Sequence, residues 1–207
     1  MIGVIDYKAG NAPSVMNALC HLGVPAGLVT SPAAAAAASG LILPGVGSAH
    51  ATMTSLRELG LIEAISGHVA ADKPFLGICI GFQVLFEYSE EGGVDCLGLL
   101  PGCVRQFDAS TARVPQMGWN RVTFLRDDPI LEGLPATGYF YFVNSYYVEP
   151  DAPDIPLGRS GYGKAFCSMG ARGKLYGAQF HVEKSADTGL RLLQNFAAIA
   201  GEEAAPC

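Results

Sequence analysis

The chain is poor in charge and has no long apolar run. Only 15% of its 207 residues are charged, and 19 Asp and Glu outnumber 13 Lys and Arg, which gives a net charge of −6. A protein with this balance lacks the basic surface that a nucleic-acid backbone requires, so we do not expect nucleic acid as its main partner. No apolar run reaches the roughly 18 residues of a membrane span, and no basic, apolar leader opens the sequence. We therefore expect a soluble, cytoplasmic protein.

Motifs for metals, nucleotides and disulfides are also missing. The cysteines lack C-x2-C spacing, and the glycine-rich turns match neither G-x-G-x-x-G nor the P-loop, so we expect no metal and no organic cofactor. A chain of this length buries a large core without disulfide staples, which predicts free thiols in a reducing compartment. The six cysteines are Cys20, Cys79, Cys96, Cys103, Cys167 and Cys207.

The first half contains short apolar runs that alternate with helical segments. The predicted strands are IGVI (2–5), AGLVT (26–30), LILPGVGS (41–48) and KPFLGICIG (73–81). The predicted helices are NAPSVMNALCHLG (11–23), which Asn11 would cap, MTSLRELGLIEAIS (53–66), and PAAAAAAS (32–39) as a short helix or connector. Apolar strands separated by helices are typical of a parallel sheet that is covered on both faces.

The second half is richer in strands. NRVTFLRD (120–127), GYFYFVNSYYVEP (138–150) and LYGAQFH (175–181) are strand-like, and ADTGLRLLQNFAAIAG (186–201) is a final helix. We predict an α/β fold with a central, mostly parallel sheet, helices on both faces and a β-rich extension in the second half. Because no break in composition marks a linker, residues 1–201 are predicted to form one domain and residues 202–207 a short tail.

The sequence around one cysteine is typical of a catalytic nucleophile. Cys79 lies between Gly77 and Gly81 at the end of a predicted strand, in the G-x-nucleophile-x-G pattern of a sharp strand-to-helix turn. Such a turn places the sulfur near a helix N-terminus, where partial positive charge favours the thiolate. The alternative is a buried core cysteine, which is our interpretation of the four other cysteines that precede the tail.

A thiol nucleophile needs a base and an oxyanion site, and two further stretches offer them. His181 follows a predicted strand and Glu183 comes two residues later, so in extended backbone the two side chains project to the same side as a base–carboxylate pair. The turn PGVGS (44–48) offers backbone N–H groups at the carboxyl end of another strand. Taken alone, the His181–Glu183 stretch is equally consistent with a surface histidine beside a glutamate that begins a helix. The PGVGS stretch is equally consistent with an ordinary turn.

These motifs occur in the order of a known family. PGVG, GICIGFQ and HVEKS together resemble the class I glutamine amidotransferases, which are cysteine-dependent glutaminases with the nucleophile on an elbow of an α/β sheet. IDYKAGN, VPQMGWNRV and YFVNSYYV are similar to the branch that works in histidine biosynthesis. In that branch the glutaminase passes ammonia to a (β/α)8-barrel cyclase, which forms imidazole glycerol phosphate and an aminoimidazole carboxamide ribotide.

The resemblance implies a catalytic role for each matching residue. Cys79 would attack the side-chain amide of glutamine to form a thioester, while His181 moves the protons and Glu183 holds its ring. The oxyanion would be received by N–H groups at Gly45, Val46 and Ile80. The resemblance also implies that the strand at Gly45 and Val46 rearranges before the site can bind the oxyanion. We therefore expect low glutaminase activity in the resting state.

Further matches concern binding. Glutamine would be held by Gly47, Gln83, Glu91, Ser145 and Tyr146. The cyclase, as the partner in a heterodimer, would face Asn11, Trp119 and Lys184. From composition alone Trp119 is better explained as core packing, and the resemblance reverses that preference.

The chain departs from the family at three positions. Val182 stands where proline is common between the base and its carboxylate, but valine still favours an extended backbone, so we expect the site to survive. Gln116 and Asn144 stand where some members carry histidine, which removes titration near neutral pH. Two alternatives stay open: the glutaminase of another amidotransferase, such as pyridoxal phosphate synthase or a sugar-modification paralogue, and a non-enzymatic interaction subunit of the same fold.

Overall fold

One mixed sheet runs through the residues that the computed structural model describes, 1–8 and 10–202. In chain order its strands are β1 (Ile2–Ile5), β2 (Ala26–Val29), β3 (Gly40–Leu43), β4 (Phe75–Ile78), β5 (Tyr88–Ser89), β6 (Val94–Asp95), β7 (Gly102–Gln106), β8 (Gln116–Phe124), β9 (Thr137–Asn144), β10 (Tyr146–Pro150), β11 (Pro156–Tyr162), β12 (Lys164–Arg172) and β13 (Leu175–Ala178). The α-helices are α1 (Ala12–His21), α2 (Pro32–Ala37), α3 (Ala49–Glu58), α4 (Leu61–Ala70), α5 (Ile80–Gln83) and α6 (Ala186–Ile199), and 3-10 turns lie at Pro129–Leu131 and Val182–Lys184.

The centre of the sheet is parallel and has the order β2-β1-β3-β4-β13. Every residue of β1, β3, β4 and β13 is buried, as expected for strands covered on both faces. The chain crosses from β1 to β2 in one direction and returns past β1 to β3, so right-handed crossovers place α1 and α2 on opposite faces. Accordingly α2 packs against α4, and α1 contacts α6. The predicted α/β sheet with helices on both faces is confirmed.

The second half extends this sheet with mainly antiparallel strands, as predicted. Strand β12 pairs antiparallel with β13, and β10, β7 and the β8–β9 hairpin follow further out. Since β4 lies between β3 and β13, the segments after these three strands meet at one edge of the sheet. The carboxyl ends of parallel strands are where ligands bind in such folds.

Two predicted segments are each divided in the structure. Residues 53–66 belong to two helices, because Gly60 adopts a left-handed conformation with φ +64° between α3 and α4. Residues 138–150 belong to β9 and β10, which are separated at Ser145. Apolar spacing continues across both breaks, so periodicity alone does not reveal them.

The remaining predictions concern membrane spans, metal sites, cysteine pairing and the C-terminal tail. None of the helices in the described residues has the length and apolarity to cross a bilayer, and in the same residues no three His, Cys, Asp or Glu side chains are placed to hold a metal ion. The five cysteines within the described ranges are unpaired thiols, whereas Cys207 lies outside them. Most of the predicted tail also lies outside, apart from Glu202, which accepts a hydrogen bond from the N-terminus of Met1.

Candidate active site

Cys79 occupies the sharp turn between β4 and α5. Its backbone has φ +55° and ψ −110°, a conformation that costs a non-glycine residue of order 1–3 kcal/mol. A Cβ atom at Gly77 would lie 2.4 Å from the carbonyl oxygen of Gly81, and one at Gly81 would lie 1.9 Å from that of Leu43. Both flanking glycines are therefore required by close backbone packing around the strained cysteine.

His181 and Glu183 lie beside this turn. His181 Nδ1 is 2.9 Å from Glu183 Oε1, and both side chains are almost fully buried. The backbone differs from the extended chain that we predicted: β13 ends at Ala178, and Val182–Lys184 form a 3-10 turn. The pair is therefore built by a tight turn after the strand, with the buried Val182 as the first residue of that turn.

The proton on His181 is controlled by its two polar neighbours. Burial alone lowers the pKa of the imidazole, but the neighbouring Cys79 sulfur and the hydrogen-bonded Glu183 carboxylate outweigh burial and raise the pKa to about 10. The direction of this shift favours a protonated ring, and a positive charge beside a sulfur is the arrangement that activates a thiol nucleophile.

Asn11 is the residue before α1, and its side chain bonds to the Glu183 carboxylate. Its side chain makes no capping bond; Nδ2 donates to Glu183 Oε1 at 3.1 Å, and Oδ1 accepts a bond of 2.7 Å from Ser14 Oγ. Asn11 is thus the N-cap residue by position, as predicted, but its side chain bonds to a buried carboxylate and not to the free N–H groups of the helix. Glu183 Oε1 receives donors from two sides, while Oε2 has no partner among the described residues.

A cavity of about 280 Å³ opens at Cys79. Nine of the predicted site residues line it: Val46, Gly47, Cys79, Ile80, Gln83, Glu91, Ser145, Tyr146 and His181. Three further lining residues were not assigned to the site from the sequence: Pro115, Val143 and Asn144. The volume suits a small metabolite, and the walls combine apolar side chains with a few polar groups.

The predicted oxyanion residues lie next to one another but do not all face the cavity. Gly45 packs on the start of α5, where an added Cβ would be 2.6 Å from Gly81 N. Ile80 N–H is at the first position of α5 and has no acceptor within the helix. Val46 and Ile80 line the cavity, whereas Gly45 does not.

Glu91 contributes negative charge to the cavity wall. Its Oε2 accepts the N–H of Ala49 at 2.8 Å, at the beginning of α3. Burial raises the pKa of the carboxyl group, and the Ala49 bond offsets that rise in part. An acidic group that is held at a helix N-terminus beside Cys79 is suitably charged for the α-amino group of an amino-acid ligand.

The three predicted interface residues all lie close to the His181–Glu183 pair. Trp119 on β8 is 54% exposed, which corrects the core-packing alternative, and it contacts the ring of Tyr141 edge-to-face. The carbonyl oxygen of Tyr141 accepts the N–H of His181 at 2.9 Å. Asn11 bonds directly to Glu183, and the exposed Lys184 follows it in the chain.

Gln179 is a polar neighbour of Cys79 that sequence reasoning missed. Its side chain is completely buried, and its Nε2 lies 3.8 Å from Cys79 Sγ. The available signal was a carboxamide placed two residues before His181 in an otherwise apolar run. Apolar periodicity gives such a residue no role, so only the three-dimensional arrangement reveals its contact.

These features define a class of protein: an α/β scaffold that carries a cysteine on a nucleophile elbow, with a histidine and a carboxylate beside it at the carboxyl edge of a parallel sheet. Residues 3–200 match the family described as glutamine amidotransferase class-I. The chain belongs to this family.

Curated relatives agree with this assignment. The chain is 46% identical over 203 residues to imidazole glycerol phosphate synthase subunit HisH of Desulfovibrio desulfuricans, with 95% of this chain and 93% of that protein covered. It is 48% identical over 205 residues to the subunit of the same name from Desulfitobacterium hafniense, with coverages of 99% and 97%.

Solved structures agree on the fold. A structure described as a glutamine amidotransferase has a TM-score of 0.77 at 22% identity and covers 97% of this chain and 98% of its own. The structure of PurLQS from Thermotoga maritima has a TM-score of 0.73 at 18% identity, with coverages of 95% and 97%.

Proposed function

We propose that this chain is the glutaminase subunit of an imidazole glycerol phosphate synthase, in which it hydrolyses glutamine and delivers ammonia to a cyclase subunit. The observation that carries the proposal is the placement of Cys79, His181 and Glu183 around one cavity, in a chain whose relatives of 46–48% identity are subunits of that enzyme.

The reaction begins at the sulfur of Cys79. The thiolate attacks the side-chain amide carbon of glutamine, and the oxyanion that forms is stabilised by the N–H groups of Ile80 and Val46. His181 gives its proton to the amide nitrogen, the C–N bond breaks and ammonia leaves. Glu183 keeps the imidazole oriented throughout.

A second displacement releases glutamate. Water attacks the thioester carbon while His181 takes a proton from it, and the S–C bond breaks to return the thiolate. Glutamine would be held by Gln83, Ser145, Tyr146 and Gly47, with its amino group facing Glu91. All five line the cavity.

The partner that we propose is a (β/α)8-barrel cyclase, docked on the surface that carries Asn11, Trp119 and Lys184. Two of these residues are tied to the catalytic pair, Asn11 by its bond to Glu183 and Lys184 by its place after it in the chain. A partner that moves this surface therefore acts on the His181–Glu183 pair. Direct transfer is chemically useful, because ammonia that escapes into neutral water becomes a non-nucleophilic ammonium ion.

The test is glutamate release from glutamine by the purified chain, alone and with a barrel cyclase and its nucleotide ligand. We expect little release from the isolated chain, strong stimulation by the loaded cyclase, and none from Cys79→Ala under either condition. Release that ignores the cyclase would contradict the assignment and favour the glutaminase of another amidotransferase. The absence of release under every condition would favour a non-enzymatic subunit.

A further inference from the structure

A chain of buried amides connects the cavity wall to the nucleophile. The Nε2 of Gln83 donates to the carbonyl oxygen of Tyr146 at 3.1 Å and to Gln179 Oε1 at 3.0 Å. Gln179 Nε2 then lies 3.8 Å from Cys79 Sγ. Gln83, Gln179 and Cys79 are all buried residues, and the Gln83–Gln179 and Gln179–Cys79 contacts lie inside the protein.

The direction of each bond follows from the chemistry of the first acceptor. A carbonyl oxygen can only accept, so the Gln83 amide must turn its NH₂ group to Tyr146. That same NH₂ group faces Gln179, which must therefore present its oxygen to Gln83. The remaining end of the Gln179 amide is a donor, and it points at the sulfur. The Tyr146 carbonyl thus determines, through two amides, that Cys79 Sγ meets an N–H group.

We propose that Gln179 is a positioning residue for the nucleophile: its oriented amide donates to Cys79 Sγ, favours the thiolate and couples it to the part of the cavity formed by Tyr146 and Gln83. A hydrogen bond to the charged form of a group stabilises that form. The proposal deepens the glutaminase function and rests on it for its relevance to turnover. The bond itself can be tested without glutamine.

The test measures the rate at which iodoacetamide alkylates Cys79 as a function of pH, with peptides quantified by mass spectrometry. The exposed Cys20 in the same sample is the internal reference for reagent and pH. Gln179→Met keeps the volume but removes both bonds, and Gln179→Glu turns a carboxylate towards the sulfur. Gln116→Met is the matched control, because Gln116 is also buried but has no hydrogen-bond partner in the described residues.

We expect the pH midpoint of Cys79 alkylation to rise by about one unit in Gln179→Met and by more in Gln179→Glu, while Gln116→Met and the Cys20 midpoint stay unchanged. Midpoints that stay at the wild-type value in folded Gln179 variants would overturn the proposal. If those variants fail to fold, Gln83→Met provides the second test, because an unrestrained Gln179 can turn its oxygen to the sulfur. An unchanged midpoint in that variant would also overturn it.

Glutamate release tests the glutaminase assignment separately from the role of Gln179. If the assignment holds, Gln179→Met lowers kcat more than it raises KM, since Gln179 contacts Cys79 but does not itself line the cavity. A wild-type chain that never releases glutamate would refute the assignment. The alkylation midpoints would still decide whether Gln179 acts on the sulfur.

Discussion

Replacement of Gly81 by alanine tests whether the elbow is held by backbone packing. The added Cβ would lie 1.9 Å from the carbonyl oxygen of Leu43, more than 1 Å inside the 3.0 Å limit that Cβ atoms respect. The obstacle is backbone at the end of β3, so it cannot rotate away as a side chain would. We expect a loss of about 1–3 kcal/mol in the free energy of unfolding from overpacking. A displacement of about 1 Å at the adjacent Cys79 should lower kcat roughly 100-fold.

Gly67→Ala is the matched control for Gly81→Ala. Gly67 is exposed inside α4, and a Cβ there meets nothing within 4 Å. The same chemical change should therefore raise the free energy of unfolding by about 0.5–1 kcal/mol and leave glutamate release unaffected. Urea denaturation and glutamate release with the loaded cyclase measure both quantities. Equal stability and activity of the two variants would refute the packing argument for the elbow.

Three further predictions concern single side chains. His68 is buried, its Nε2 lies 3.1 Å from Pro74 O, and burial lowers its pKa. Because the unfolded chain then binds more protons than the folded one, the free energy of unfolding should decrease as the pH falls below about 6.5. Urea titrations at pH 5.5 and 7.5 should show this loss reduced in His68→Gln, and an equal loss in both proteins would contradict it. Val182→Pro should leave glutamate release within about twofold, because the first position of a helical turn needs no N–H; a tenfold loss would show that valine is required. Trp119→Ala should weaken cyclase binding at least tenfold by calorimetry with little change in thermal unfolding, and unchanged affinity would remove Trp119 from the interface.

The fold was predictable because its signals are local. Four of the central strands are apolar runs, and the glycines around Cys79 mark a backbone that must pass within contact distance of its neighbours. The family resemblance, confirmed by the match over residues 3–200, depends on the same short motifs. Breaks such as Gly60 were missed because a glycine inside an apolar pattern does not by itself show whether the helix continues.

The site was only partly predictable, because polar side chains choose partners that are distant in sequence. Asn11 is the N-cap residue that its neighbours predict, yet its side-chain amide bonds to Glu183, 172 residues away. Gln179 is an unremarked carboxamide in the sequence, but the fold places it between Gln83 and Cys79.

The central claim is that Cys79 is the nucleophile of a glutamine site, and labelling by a thiol-reactive glutamine analogue tests it most directly. Non-specific alkylation would modify the exposed Cys20 more readily than the buried Cys79. Recognition of the analogue in the glutamine site would instead modify Cys79. The account predicts stoichiometric labelling of Cys79, none of Cys20, and protection by glutamine, when peptides are analysed by mass spectrometry. Labelling that follows exposure, with Cys20 modified, Cys79 untouched and no protection by glutamine, would contradict it.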